Sequence, residues 1–556
     1  MRHPARAWLL VAMALASFVA LSGGLPSAGA VAASSAPPWE TSGPYPSRFD
    51  LRTEGRVTPV RSQDSHSTCW VMSAIGSLES AVVTSEGTAR DFSENNLANH
   101  MSSRLVYEGM APSELAAAYF ARWEGPVFES SDPYPDPDPG GSPTFLRAVR
   151  HVQEVLFLPQ RRGPLDNDAV KWAVMTHGGV DAAAYFHTQA EYHSWNASTS
   201  SYYSDAAGKL NHHILCVGWD DSYPAADFLP EKRPPGDGAF LIKNSWGTDF
   251  ADKGYLWVSY YDASFGKALA VFNGVARADD YDAIYQYDAL GRSAWIGAGA
   301  GGEHAWYASR FRCVGSGKVT AVSFYTPVPG TTYEVRVAGS VRGVAAAPAA
   351  ASGTVPVGGY HTVRLDQPAR VAAGDMFVAA VRVTTPGWTS PVPVEAPSSL
   401  INPRARAGQS YLSADGVSWA DLTSRKGLAK ANVCLKAFVD AAGAGDSAPP
   451  RVDVAGGVVR RGRPISIRWK LTDPAFSSAS AIVVLSVRDS RGRLIARRRI
   501  PAVAVGERGA WRVRASWPRG RYTVRASASD VAGRRQAARR ASIVVRGSAP
   551  AASRRR

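Results

Sequence analysis

The sequence predicts an α+β domain followed by two all-β sandwich domains. Three observations carry this reading. Residues 46–276 hold a helical apolar pattern followed by short, continuous apolar runs that read as buried strands. From 279 to 441 the texture changes to alternating runs such as KVTAVSFYT, TYEVRVAGSV, TVRLD and MFVAAVRV, punctuated by Gly and Pro. That is the pattern of an antiparallel β-sandwich or jelly roll. Beyond a linker at 442–450, the runs PISIRWKLTD, AIVVLSVRDSRGRLIARRR, WRVRASW and RYTVRASASD form another all-β unit over 451–548. Its size and strand spacing suit an immunoglobulin-like sandwich.

Taken in chain order, the first element is a leader. Arg2 and Arg6 precede an apolar run from Ala7 to Leu21, then helix breakers and a small-residue site ending at Ala30. This is the layout of a secretory signal peptide over 1–30. The run falls short of the roughly 20 residues a membrane span needs, and no second run of that length follows. The expectation is a secreted, extracellular protein with no transmembrane segment. Residues 31–45 are a linker rich in Ala, Ser and Pro. The hydrophobic share of 45% is ordinary for globular domains with real cores.

The net charge of +15 is unevenly placed. From Arg451 onward, 25 Arg and one Lys face five acidic residues, so the rest of the chain is net acidic. Arg alternates with apolar residues in WRVRASW, which puts cations on one face of the last domain, and a basic tail follows at 549–556. Such a face is either simply solvated or an anchor for an anionic cell-wall polymer, whose binding would weaken with salt. No base-reading motif is present, so no specific nucleic-acid partner is expected.

In the first domain Cys69 opens a helix. Ser67 and Thr68 are capping types, Trp70, Ala74, Ile75, Leu78, Ala81 and Val82 recur at helical spacing, and Gly87 ends the run. The first helical turn favours a thiolate through its free N–H groups and the helix dipole, although free cysteines are more often buried core residues. A thiolate needs a base, and the base needs orienting. NHHILCVGWDD reads as a buried strand beginning at His212, with Cys216 as a core residue. GAFLIKNSWGT reads as a strand ending at Asn244. No second clustered Cys pair accompanies these histidines, so no metal site is expected and no cofactor is implied.

Gln63, then Cys69-Trp70, then His212 six residues before Gly218, then Asn244-Ser245-Trp246-Gly247 together resemble the papain-like cysteine peptidases. His212 and Asn244 follow Cys69 by 143 and 175 residues, where about 130–150 is usual for the family. The excess matches the insertion DSYPAADFLPEKRPPGDG, a surface loop by composition. PSRFDLRTEGRVTPVRSQ, FSENNL, HGGVDAAAY and DKGYLWVSYYD resemble further family segments. The resemblance implies a two-lobed fold over 46–276 and a protein or peptide substrate. It also implies roles: Cys69 as nucleophile, His212 as its proton partner, Asn244 as the group orienting the imidazole, Trp246 as its cover, and Gln63 with the Cys69 N–H as oxyanion hole. His213 is then a flanking residue.

The chain departs from the family pattern in three places. His66 stands where many members place a half-cystine, so packing must hold the Cys69 loop. Only about 15 residues separate Ala30 from Pro46, too few for an inhibitory pro-domain. LVYEGMAPSELAAAYFARWEGPVFESSDPYPDPDPG replaces the usual subsite wall; its aromatics and Tyr134 are either groove or core residues.

Residues 279–441 resemble the lectin-like sandwich of some bacterial papain-like proteins, which implies carbohydrate binding. Trp295 and Trp306 are candidates for sugar stacking or for the core. Cys313 and Cys434 are candidates either for a disulfide, worth about 4–5 kcal/mol for so long a loop, or for two buried thiols. The reading is a secreted bacterial cysteine endopeptidase targeted by its β modules. The alternatives are an adhesion protein with a vestigial peptidase scaffold, or acyl transfer to an amine.

Overall fold

The computed structural model describes residues 36–101, 107, 109–135, 142–143, 146–189, 193–299, 302–442, 449–472, 480–530 and 534–547. The expected signal peptide and basic tail, and parts of both linkers, lie outside them. Among the described residues no helix is long and apolar enough to cross a membrane.

The helix Cys69–Glu86 is buried on every side from Cys69 to Val82, so it runs between two lobes rather than along a surface. It ends at Gly87, whose φ of 67° gives the left-handed cap that stops a helix, with its N–H donated to the Val83 carbonyl. One face is apolar and packs with the helices Glu94–His100 and Ser113–Ala121. The other carries a stripe of serines at helical spacing. Ser73 Oγ donates to the Ile214 carbonyl (3.0 Å), Ser77 Oγ to that of Gly179 (2.6 Å), and Ser80 Oγ to that of Arg56 (2.6 Å). These hydroxyls satisfy otherwise buried carbonyls of the second lobe, where each orphan would cost about 1–3 kcal/mol.

The second lobe is a curved antiparallel sheet of Val180–Ala184, His212–Asp220, Ala239–Lys243 and Tyr255–Ser259, backed by the helix Asp168–His177. The turn Pro38–Thr41 sits on that helix, with Trp39 against Trp172 at 5.8 Å, so residues 36–45 cover the back of this lobe. The insertion after Asp220 is pinned by Phe228, packed among Tyr203, Tyr223 and Ala239.

The peptidase-like unit and the next unit share one sheet. Arg150–Leu158 pairs with Ala268–Arg277 on one side and with Gly359–Val371 on the other, through Gly359↔Leu156, Tyr360↔Val155 and His361↔Glu154. A Cβ on Gly359 would stand 2.1 Å from the Val155 carbonyl oxygen, so only glycine permits this join. The strands Ala283–Tyr285, Leu435–Ala441, Gly317–Thr326 and Gly359–Val371 continue the sheet and face a second sheet of six strands, including His304–Arg312 and Met376–Thr384. This is a sandwich with a closed apolar core.

Two sequence readings resolve within it. Cys313 and Cys434 do not pair: both are buried free thiols. Val433 and Leu435 point into the sandwich core with Cys313, whereas strand alternation turns Cys434 to the opposite side, against the helical lobe. Trp306 is buried beneath Arg336, and Trp295 packs beneath Arg292, so neither presents a free stacking face.

The last unit is a two-sheet sandwich of three and five strands around Trp469, Leu485 and Val524. It is docked. Arg499, from the strand Leu494–Ala504, and Arg122, after the helix Ser113–Ala121, each place a guanidinium nitrogen 2.6 Å from Glu124 Oε2. Arg122 and Glu124 are buried and Arg499 is partly so. Burial alone would raise the Glu124 carboxyl, but the two arginines hold it below the usual carboxylate range. A second tie joins Arg404 and Arg406 of the middle unit to Glu507. Some of the predicted cationic surface is therefore spent inside the molecule. Removing one partner of a buried ion pair costs about 3–5 kcal/mol. Arg499→Ala is expected to lower stability by that order, read as a lower urea midpoint and faster proteolysis at 442–450; unchanged values would show that the clamp holds nothing.

Candidate active site

The helix Cys69–Glu86 and the strand His212–Asp220 bring the predicted site residues together. The Ser73 bond to Ile214 sets the first helical turn against the start of that strand, and the His213 main chain lies beside the Cys69 sulfur. The strand Ala239–Lys243 pairs with the histidine strand and ends just before Asn244.

Asn244 Oδ1 lies 2.8 Å from His212 Nε2 and also accepts the Ser245 N–H at 2.9 Å. That oxygen can only accept, so His212 carries its proton on Nε2 and leaves Nδ1 as an acceptor. Trp246 leans over the imidazole at 4.9 Å between centroids, and Phe186 lies at 5.5 Å, so the pair is roofed by aromatic rings. His213 points elsewhere. Its Nδ1 lies 2.8 Å from Asp181 Oδ1, and Ser113 Oγ donates to Asp181 Oδ2 at 2.6 Å. It is a buried core histidine, as strand alternation requires when His212 faces the cleft.

Burial pushes the Cys69 thiol up to about 12 and the His212 imidazole down to about 4. Both shifts favour the neutral pair. Main-chain N–H groups at His213, Trp70 and Cys69 pull the thiol the other way, as does the Asn244 hydrogen bond on His212. The helix N-terminus acts on the thiol in the same sense.

Gln63 is held at its far end. Ser245 Oγ donates to Gln63 Oε1 at 2.7 Å, and Gln63 Nε2 donates to the His66 carbonyl at 2.6 Å. This fixes the amide orientation and leaves the second Nε2 hydrogen for a ligand. Ser245, unassigned in the sequence reading, thus anchors the glutamine; its place beside Asn244 was the available signal.

Where relatives place a half-cystine, an aromatic cluster holds the loop. His66 meets Tyr107 edge-on at 4.7 Å, and Tyr107 stacks on Tyr134 at 5.5 Å. Tyr134 Oη lies 2.7 Å from Thr68 Oγ1 and donates to the Gln63 carbonyl at 2.9 Å. Tyr134 is a brace for the loop rather than simple core filling. Behind it, Asp132 accepts from Asn95 and Asn96, both at 2.7 Å. Among the described residues no group of His, Cys, Asp or Glu could hold a metal ion. Cys216 is a buried strand residue, its thiol also raised to about 12 by burial.

Residues 45–268 match the papain family cysteine protease model, and residues 284–439 match the lectin like domain. Pro-cathepsin H of Bos taurus is 30% identical over 223 residues, covering 39% of this chain and 60% of the relative. Cathepsin S of Mus musculus is 30% identical over 217 residues, covering 38% and 58%. The chain thus spans about 60% of the length of these curated relatives. The clostridial cysteine protease Cwp84 after propeptide cleavage superposes with a TM-score of 0.63 at 24% identity, over 71% of this chain and 99% of that one. A structure of the cysteine protease and lectin-like domains of Cwp84, a surface layer associated protein of Clostridium difficile, gives 0.61 at the same identity, over 71% and 89%. At that identity the likeness speaks for fold. The chain carries, in order, a domain of the papain family of cysteine proteases and a lectin-like domain.

Proposed function

We propose that this protein is a secreted cysteine endopeptidase that hydrolyses peptide bonds through Cys69, His212 and Asn244. Its lectin-like unit and immunoglobulin-like basic unit place it on a carbohydrate or an anionic cell-wall polymer. The observation that carries the reading is the His212–Asn244 hydrogen bond, which leaves His212 Nδ1 as an acceptor on a strand that packs against the helix opened by Cys69. The charged N-terminus and apolar run support export, as does the fold shared with a surface layer associated protein.

The chemistry follows from these positions. The thiol proton passes to His212 Nδ1 as Sγ bonds to the substrate carbonyl carbon. The resulting oxyanion takes hydrogen bonds from the free Gln63 Nε2 hydrogen and the Cys69 N–H, contacts whose single loss typically costs about 10²–10³ in rate. His212 then returns its proton to the leaving amine, and a thioester remains. Water, deprotonated by the same Nδ1, attacks the thioester and releases the acid with the thiol restored. Trp246 and Phe186 keep this exchange dry, and Asn244 keeps the ring from turning.

Five outcomes test the reading. Cys69→Ser is expected to abolish covalent labelling by an epoxide inactivator, and His212→Ala to lower kcat/KM by about 10⁴ or more. His213→Ala should keep the labelling while lowering stability; the reverse pattern for the two histidines would refute the assignment. Gain of a proton by the pair stops the reaction whichever atom held the first. With His212 lowered to about 4, kcat/KM should fall as pH drops through about 4, and a midpoint near the free-histidine value of about 6.5 would contradict this. Tyr134→Phe removes the brace on Gln63 and Thr68 and should lower kcat about tenfold with KM nearly unchanged, because a small misplacement of the oxyanion donors acts on the transition state. A change in KM alone would place Tyr134 in substrate binding instead.

A further inference from the structure

The three units enclose a cleft of about 800 Å³ beside the docking clamp, with Arg499 in its lining. This lies towards the upper end of ligand-pocket volumes, about 300–1,000 Å³. One wall is the helical lobe around Asn99 and His100. The second is the Leu400–Arg406 segment of the lectin-like unit. The third is the Arg497–Arg499 stretch of the last sandwich.

Six cationic side chains line it: Arg404, Arg406, Lys430, Arg497, Arg498 and Arg499. The carboxylates there do not balance them. Glu507 is shared by Arg404 and Arg406. Glu395 is buried and hydrogen-bonded to Asn432 and the Leu290 N–H, and burial raises its carboxyl to about 8, so it is largely uncharged at neutral pH. Arg499 is occupied by Glu124. Lys430 and Arg498 have no hydrogen-bond or ion-pair partner among the described residues, and both are exposed. Like charges gathered in a concave site focus a positive potential and favour an anion. Asn402 adds an exposed amide suited to hydroxyls and ring oxygens, while the Gln409 amide is held by the Arg406 N–H.

The shape selects among polyanions. A duplex carries its phosphates on the outside of a broad rod, which a cleft of this volume does not admit. Single-stranded nucleic acid is held by aromatic faces that stack on bases. The rings at this cleft, Trp511 and Tyr287, are packed in their own domain cores instead.

We propose that this cleft binds a single flexible strand of an anionic glycan-type polymer, its phosphate or carboxylate groups meeting Lys430 and Arg498 and its polar units meeting the Asn402 amide. This rests on the anchoring role proposed above and assigns it a place. The helical lobe that carries Cys69 also lends Asn99 and His100 to this cleft, so that capture of the polymer positions the peptidase.

The test uses the full chain and calorimetric titration with a poly(glycerol phosphate) oligomer, a uronic-acid oligosaccharide, neutral dextran and a short single-stranded DNA, at 50 and 200 mM salt. Lys430→Ala/Arg498→Ala is compared with Arg519→Ala/Arg521→Ala, which removes two exposed cations away from the cleft. Wild type is expected to bind one or both anionic glycan probes and not dextran. The cleft pair should weaken binding at least tenfold and flatten the salt dependence by about two contacts, with an unchanged thermal midpoint, while the control pair changes affinity less than twofold. Equal loss from both pairs, or loss only from the control, would overturn the cleft assignment and leave the anchoring reading standing. DNA binding as tightly, with the same loss in the cleft pair, would overturn the glycan-type selectivity. No binding of any anionic probe by wild type at 50 mM salt would overturn both readings.

Discussion

The site depends on how one buried helix meets one strand. The first turn of Cys69–Glu86 is pressed against the start of His212–Asp220 through Ser73, and Ser77 and Ser80 tie the rest of the helix to Gly179 and Arg56. Below the stripe, Lys243 donates to the Thr58 carbonyl at 2.8 Å, and Thr58 Oγ1 donates to Glu79 at 2.5 Å. Burial lowers the Lys243 ammonium to about 8, and Glu79 and Glu94 oppose that fall. Lys243 precedes Asn244, so the same tie that joins the lobes also sets the residue that orients His212. Structure and chemistry are therefore carried by adjacent side chains on one strand.

Rigidity around Cys69 arises without covalent help. A cross-link would fix the loop by constraining the unfolded chain. Here His66, Tyr107 and Tyr134 do so by ring contacts and through one phenol, which donates to the Gln63 carbonyl and accepts from Thr68. Aromatic pairs contribute about 0.5–1.5 kcal/mol each beyond area burial. The cluster is thus a network of modest terms whose members are hard to replace singly.

The catalytic candidates were legible in the chain because their chemistry constrains residue type at wide spacing: Gln63, Cys69, His212 and Asn244 recur in a fixed order. The choice between His212 and His213 was also legible, since strand alternation lets only one face the cleft. The partners of these residues were less so. Ser245, Asp181, Tyr107 and the serine stripe are small or common residues whose roles arise from tertiary approach. Neighbouring alternation, Val433 in and Cys434 out, shows why the disulfide does not form, but only once the two cores are seen. The shared sheet was hidden for the same reason. Chain texture marks a boundary near 279, whereas Gly359 hydrogen-bonds the two units into one sheet. The cationic character of the last unit was plain; that Arg499 spends its charge on Glu124 was not.

In the proposed mechanism Asn244 fixes His212 as the Nε2–H form so that Nδ1 serves Cys69. The most direct measurement is ¹⁵N NMR of the histidine side chains before and after alkylation of Cys69. The expected result is an Nε2-protonated His212 whose Nδ1 resonance moves on alkylation, while His213 stays unchanged and the Nε2–H signal is lost in Asn244→Ala. A His212 protonated on Nδ1, or a response confined to His213, would contradict it.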